Sequence, residues 1–91
     1  MKYVFSKPYQ FDGETHKEIE FDIESLKGSD IAAVKRLYQR AGGAGVLPTA
    51  DMEFCVLLLN RLSKKPIEFF NELPARDYVQ LTTMVSDFLL A

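Results

Sequence analysis

The amino-acid sequence predicts an α+β fold: an N-terminal antiparallel β-hairpin followed by a small bundle of three main helices and one short helix. Residues 14–23 alternate between two kinds of side chain, as a half-buried strand does. Residues 54–59 form an unbroken apolar run, and the apolar positions of residues 78–89 recur at helical spacing. We therefore expect one domain over residues 1–91, with the hairpin at 3–23 and helices at about 30–41, 50–63, 66–73 and 74–90.

Composition excludes several classes of protein. The chain has 91 residues, is 47% hydrophobic and carries a net charge of −2, which is typical of a small folded domain and not of a disordered one. An acidic chain without a basic stripe is a poor candidate for binding nucleic acid. The N-terminus lacks the apolar core of a signal peptide, so we expect a cytoplasmic protein without a membrane anchor.

The hairpin shows two strand patterns. Residues 3–11 alternate aromatic side chains with others, and Pro8 favours a sheet edge because it has no backbone N–H. One face of the second strand carries Thr15, Lys17, Ile19, Phe21 and Ile23. We expect water to solvate the opposite face, which carries Glu14, His16, Glu18, Glu20 and Asp22.

Asp12-Gly13 marks the turn between the strands. A two-residue loop would place Phe5 opposite Glu20, which mixes the apolar and charged faces. A three-residue loop that begins at Phe11 would place Phe5 opposite Ile19 instead. We therefore predict the three-residue loop, with its glycine in the left-handed position of a bulge.

Helix boundaries follow from capping residues. Ser29 is a good N-cap for the first helix, and Gly42-Gly43 ends that helix. Thr49 can cap the central helix. Pro66 suits the first turn of the short helix, and Pro74 starts the last one.

The central helix is predicted to form the core. One broad face carries Met52, Cys55, Val56, Leu58, Leu59 and Leu62, while Phe54 and Leu57 point nearly the other way. A helix this apolar needs cover on more than one side, and it is too short to span a bilayer. We expect Cys55, the single cysteine, to be a small buried hydrophobe.

No constellation of residues predicts catalysis, a cofactor or a metal. His16 lies in an acidic row, but no second histidine or cysteine lies near it and no loop gathers the carboxylates around one point. The glycines at 42–45 follow a helix and precede no Gly-Lys-Ser/Thr, so they do not predict a phosphate site. An alternative function uses Lys35, Arg36 and Arg40 of the first helix in a small DNA-binding or regulatory protein.

The aromatic content points to a partner surface. Seven phenylalanines and four tyrosines exceed what we expect one small core to hold, and exposed aromatic patches are typical of binding surfaces. The partner surface is predicted on the hairpin and the end of the last helix, at Tyr3, Phe5, Tyr9, Phe11, Phe88 and Leu90.

Several segments resemble the tail assembly chaperones of long-tailed phages, the Mu-like and P2-like group. The segment from Lys7 to Gly13, followed by Glu18-Ile19-Glu20-Phe21, is similar to their opening, and Gly28-Ser29-Asp30-Ile31 with Gly42-Gly43 is similar to their middle section. Their closing section resembles Pro66-Ile67-Glu68-Phe69-Phe70, Leu73-Pro74-Ala75-Arg76-Asp77 and Val85-Ser86-Asp87-Phe88-Leu89-Leu90. The chain departs from that pattern at Lys64-Lys65, where the resemblance leads us to expect a glycine.

The resemblance implies a non-enzymatic role. Such chaperones bind the tape measure protein, a long, largely helical and apolar chain, and keep it soluble until tail-tube subunits surround it. They are absent from the finished virion, and many relatives are also made in a longer, frameshifted form. The resemblance thus implies the tape measure protein as the partner and tail-tube subunits as further candidates. An edge strand and spare aromatic residues would also permit self-association.

Overall fold

The computed structural model describes residues 1–43 and 51–91 and confirms the α+β fold class. Two strands form the hairpin, β1 (Lys2–Phe11) and β2 (Glu14–Glu20), and a short 3₁₀ helix follows at Ile23–Ser25. The helices that follow are α1 (Gly28–Arg40), α2 (Met52–Ser63), α3 (Ile67–Asn71) and α4 (Ala75–Leu90). Strand β2 ends at Glu20, three residues before the predicted end of the hairpin, because the chain turns into the 3₁₀ helix soon afterwards.

The predicted three-residue turn is wrong. Phe11 pairs with Glu14 across a two-residue loop, and both loop residues have positive φ, 52° at Asp12 and 78° at Gly13, as a type I′ turn requires. The pairing then shifts, because the four residues between Val4 and Tyr9 lie opposite the single residue between Glu18 and His16. This bulge contains Pro8. Because of the bulge, apolar side chains do not pair with charged ones as they would in a regular hairpin with a two-residue loop.

The helix starts differ from the predicted caps. Ser29 lies within α1 and is not its N-cap; the helix begins at Gly28, where the Lys27 N–H donates to the Asp30 carboxylate at 2.9 Å. Asp51 caps α2, because its side chain accepts a hydrogen bond from the Glu53 N–H at 2.8 Å. Thr49, the predicted cap, lies outside the described residues.

Helix α2 forms the centre of the core, as predicted. It packs against α1, α3 and α4, and it buries Phe54, Cys55, Val56, Leu58 and Leu59. Phe54, which points away from the main apolar face, is covered by Tyr38 of α1, with ring centroids 5.6 Å apart. Met52, predicted on the buried face, is 46% exposed because it begins the helix. No helix within the described residues is long and apolar enough to cross a bilayer.

Lys64 ends α2 in a left-handed conformation. Its φ is 61°, and its N–H donates to the Asn60 carbonyl at 3.0 Å. This is the position at which glycine is favoured, because a Cβ there collides with the following carbonyl oxygen.

We expect Lys64→Gly to raise the free energy of unfolding by about 1 kcal/mol, since the substitution removes this strain. Urea unfolding of the purified variant measures the change. Lys35→Gly is the control: that exposed residue lies inside α1, where glycine is expected to lower stability by about 1 kcal/mol. A Lys64→Gly variant that is less stable than wild type would contradict the argument.

Candidate functional site

The six residues predicted to bind a partner divide into two groups by burial. Tyr3, Phe5 and Tyr9 are only 8%, 5% and 8% exposed and belong to the core. Phe11 is partly buried, whereas Phe88 is 38% exposed and Leu90 51% exposed. The expectation that the hairpin aromatics exceed the capacity of the core is therefore wrong for three of the four aromatic residues predicted on the hairpin.

Tyr3 is buried because it reaches a carboxylate in the core. Its hydroxyl donates to Asp77 Oδ1 at 2.7 Å and to Gln80 Oε1 at 3.1 Å. Ser6 binds the same carboxylate, through its N–H to Oδ1 at 3.0 Å and through its Oγ to Oδ2 at 2.9 Å. Asp77 is completely buried, so these hydrogen bonds replace the water that its charge loses on folding.

The protonation states follow from this geometry. Burial alone raises the pKa of Asp77, but the hydrogen bonds from Tyr3 and Ser6 outweigh it and hold the pKa below its usual value. Burial and the bond to Asp77 raise the pKa of Tyr3 to about 12. At neutral pH an ionised carboxylate on α4 therefore accepts hydrogen bonds from β1.

The sequence analysis missed Asp77, although the sequence carries a signal for it. Asp77 precedes Leu81 by four residues and Val85 by eight, which places it on the buried stripe of α4. A carboxylate on an apolar stripe must be paired to be tolerated there. Its partners could not be predicted, because they lie more than seventy residues away in the sequence.

A second group of buried aromatic residues surrounds Phe69 of α3. Its ring lies 5.0–6.3 Å from five other rings, and four of these five contacts are edge-to-face or nearly perpendicular, those with Tyr9, Phe11, His16 and Phe70. The Tyr9 hydroxyl donates to the Phe69 carbonyl at 2.8 Å, and the Lys65 ammonium lies 5.2 Å from the ring centroid. This cluster docks the hairpin onto the short helix.

His16 belongs to this cluster and not to the solvated face where it was predicted. The bulge brings it opposite Tyr9, so its ring packs against Phe69 at 5.0 Å with an interplanar angle of 88°. The nearest carboxylate, Glu14, lies 3.9 Å from His16 Nε2. In the part of the chain that the structure describes, no three histidine, cysteine or acidic residues are grouped to hold a metal ion.

Cys55 is buried, as predicted. Burial raises the pKa of its thiol to about 11, so it is protonated at neutral pH and behaves as a small apolar side chain.

The remaining predicted residues lie at opposite ends of the molecule. Tyr3 contacts Asp77 and Gln80, whereas Phe11 borders a cleft with Glu72, so β1 and α4 run antiparallel. Phe88 lies eight residues beyond Gln80, about 12 Å further along α4 and away from Phe11. The last turn of α4 carries two exposed apolar side chains, Phe88 and Leu90, which together form the apolar end.

An apolar groove of about 340 Å³ opens elsewhere, between the four helices. Val56, Leu57, Ile67 and Tyr78 contribute to its walls, and Ile67 is 36% exposed. It is a second surface that an apolar segment of another chain could occupy.

The basic residues of α1 do not belong to a helix-turn-helix formed by α1 and α2, the helices described on either side of residues 44–50. Lys35, Arg36 and Arg40 are exposed, but eleven residues separate the end of α1 at Arg40 from the start of α2 at Met52. A helix-turn-helix joins its helices by a turn of about three or four residues. The alternative of DNA binding thus gains no support from the arrangement of α1 and α2.

Comparison with known protein families gives a match over nearly the whole chain. Residues 2–90 match the model of a family described as "Phage tail assembly chaperone proteins, E, or 41 or 14". No curated protein and no solved structure matches the chain.

Proposed function

Because the chain belongs to the family of phage tail assembly chaperones, we propose that it binds the tape measure protein and keeps it soluble while the tail assembles. The match over residues 2–90, nearly the whole chain, is the observation that carries this proposal. Family membership implies an interaction with tail proteins; the tape measure protein as the client is the proposed step. We propose that the protein acts without catalysis in the host-cell cytoplasm and is absent from the finished virion.

The apolar end supports this function. Phe88 is 38% exposed and Leu90 51% exposed, so the last turn of α4 leaves two large apolar side chains in water. Burying apolar area against a client gains roughly 25 cal/mol per Å². An apolar client helix that lies across this end would be bound and shielded from water without any chemical step.

Co-expression with the tape measure protein tests the surface. We expect the double variant Phe88→Ser, Leu90→Ser to bind the client about 2 kcal/mol more weakly, roughly thirtyfold, because both side chains lose their contacts. The amount of tape measure protein in the soluble fraction and its pull-down by the tagged chaperone are the measurements. Val79→Ser is the matched control, since Val79 is 46% exposed on the same helix but lies outside the apolar end.

The outcome of a third variant separates two docking sites. If Ile67→Ser abolishes capture while the double variant retains it, the client occupies the groove and not the apolar end. If the folded double variant and Val79→Ser capture the client equally well, the apolar end is not the site.

Phe11 is a separate proposed contact at the hairpin tip. Phe11→Ala tests it in the same pull-down. Tyr9→Ala, by contrast, would disturb the core, because Tyr9 is buried against Phe69. Tail-tube subunits and a second copy of the chain are further proposed partners; size-exclusion chromatography with light scattering determines self-association.

A further inference from the structure

The outer edge of β2 carries backbone groups that no other strand pairs within residues 1–43 and 51–91. Met1 and Phe21 exchange two hydrogen bonds, Met1 N–H to the Phe21 carbonyl at 2.8 Å and Phe21 N–H to the Met1 carbonyl at 2.9 Å. Pairs alternate along an antiparallel ladder, so the next residues on β2, Glu20 and then Glu18, point their N–H and C=O groups away from β1.

The two edges of the hairpin differ in whether another element hydrogen-bonds their outward backbone groups. On β1 the outward-pointing N–H of Ser6 donates to Asp77, so α4 covers that edge. Within residues 1–43 and 51–91, no protein group bonds the outward backbone of Glu18 or Glu20. Both residues are exposed. In the described part of the chain, nothing covers the outer edge of β2, which is therefore open to another strand.

Charge restricts which strand can pair there. Residues 12–24 contain six acidic residues and a single lysine, although the whole chain has a net charge of only −2. Lys2 lies 3.3 Å from Glu18, but both side chains are about half exposed, so the pair screens the edge only weakly. The edge of a second copy would bring glutamates against glutamates, which disfavours self-pairing.

We propose that the outer edge of β2 binds an extended, lysine- or arginine-bearing segment of a partner protein by antiparallel strand addition. Main-chain hydrogen bonds to Glu18 and Glu20 hold the segment, and its cationic side chains face the carboxylates of Glu18 and Glu20, which lie on the exposed face with Val4. This site lies on the hairpin and is independent of client docking at the apolar end.

Titration of the full chain with two synthetic peptides tests the proposal. One is the heptapeptide Thr-Lys-Val-Lys-Val-Lys-Thr, as long as β2, and the other has glutamate in place of each lysine. We expect the lysine peptide to slow hydrogen exchange at the Glu18 and Glu20 amides about tenfold, as new backbone hydrogen bonds do, and the glutamate peptide to leave it unchanged. Chemical-shift changes without slowed exchange would overturn strand addition.

Two variants distinguish the contribution of the backbone hydrogen bonds to peptide binding from that of the charged side chains. Glu20→Pro removes an outward N–H while leaving the β1–β2 bonds in place, and we expect it to abolish exchange protection at Glu18 by the lysine peptide. The double variant Glu18→Gln, Glu20→Gln keeps every backbone group and should weaken the lysine peptide about tenfold. Unchanged binding to the glutamine variant, or an equal response to both peptides, would overturn the assignment.

Discussion

Phe69→Ala is expected to lower the free energy of unfolding by about 4 kcal/mol, because it empties the centre of an aromatic cluster. Phe69 is 1% exposed, and its ring contacts side chains from β1, β2 and α3. A domain of this size has a total stability of roughly 5–15 kcal/mol, so the variant approaches the limit of folding. Urea unfolding, followed by far-ultraviolet circular dichroism, measures the loss.

Phe88→Ala is the matched control for this experiment. It removes the same atoms from a residue that is 38% exposed, so we expect a loss of less than about 1 kcal/mol. If the two variants unfold at the same urea concentration, the cluster around Phe69 does not stabilise the fold as its geometry indicates.

Asp77→Ala is expected to lower the free energy of unfolding by about 3 kcal/mol. The substitution leaves the buried Tyr3 hydroxyl without its 2.7 Å acceptor and releases both Ser6 hydrogen bonds that hold the β1 bulge to α4. Asp87→Ala, at an exposed position of the same helix, should change stability by less than about 0.5 kcal/mol. Equal stability of the two variants would show that the buried carboxylate does not hold the hairpin in place.

The pH dependence provides an independent check on Asp77. Its pKa is lower in the folded protein than its ordinary value of 3.8, so its stabilising contribution is complete above that value. The contribution is lost as the pH falls through the folded pKa. We therefore expect wild-type stability to fall below about pH 4 more steeply than that of Asp77→Ala.

The contribution of Tyr3 to stability depends on pH in the opposite direction to that of Asp77. Its pKa is raised from 10.0 to about 12, so its contribution is complete below pH 10 and is lost as the pH rises through that interval. Tyr3→Phe should flatten the alkaline limb of the stability curve in part. Burial also raises the pKa values of Tyr9 and Tyr78, so these two residues continue to make stability fall at alkaline pH in the Tyr3→Phe variant.

The order of the elements was predictable from local patterns. The alternating residues formed a hairpin, and the apolar run at 54–59 formed the buried middle of α2. Lys64 takes the left-handed conformation where the family resemblance suggested glycine. Elements of this kind depend on neighbours a few residues away, so the sequence alone contains the information that places them.

The candidate site was predicted only in part. Phe88 and Leu90 are exposed, but Tyr3, Phe5 and Tyr9 are buried. Counting aromatic residues could not distinguish the two groups, because edge-to-face packing around Phe69 fits more rings into the core than their number suggested. Which of the exposed residues contacts a client stays a prediction.

The sequence by itself determined the fold class, the central helix and the family, because periodicity and the order of short motifs are properties of neighbouring residues. Only the tertiary structure decided the hairpin register, the packing of His16 against Phe69 and the pairing of Asp77 with β1. A buried carboxylate on α4 and a strand N–H near the N-terminus must satisfy each other, and that requirement appears only when distant segments meet.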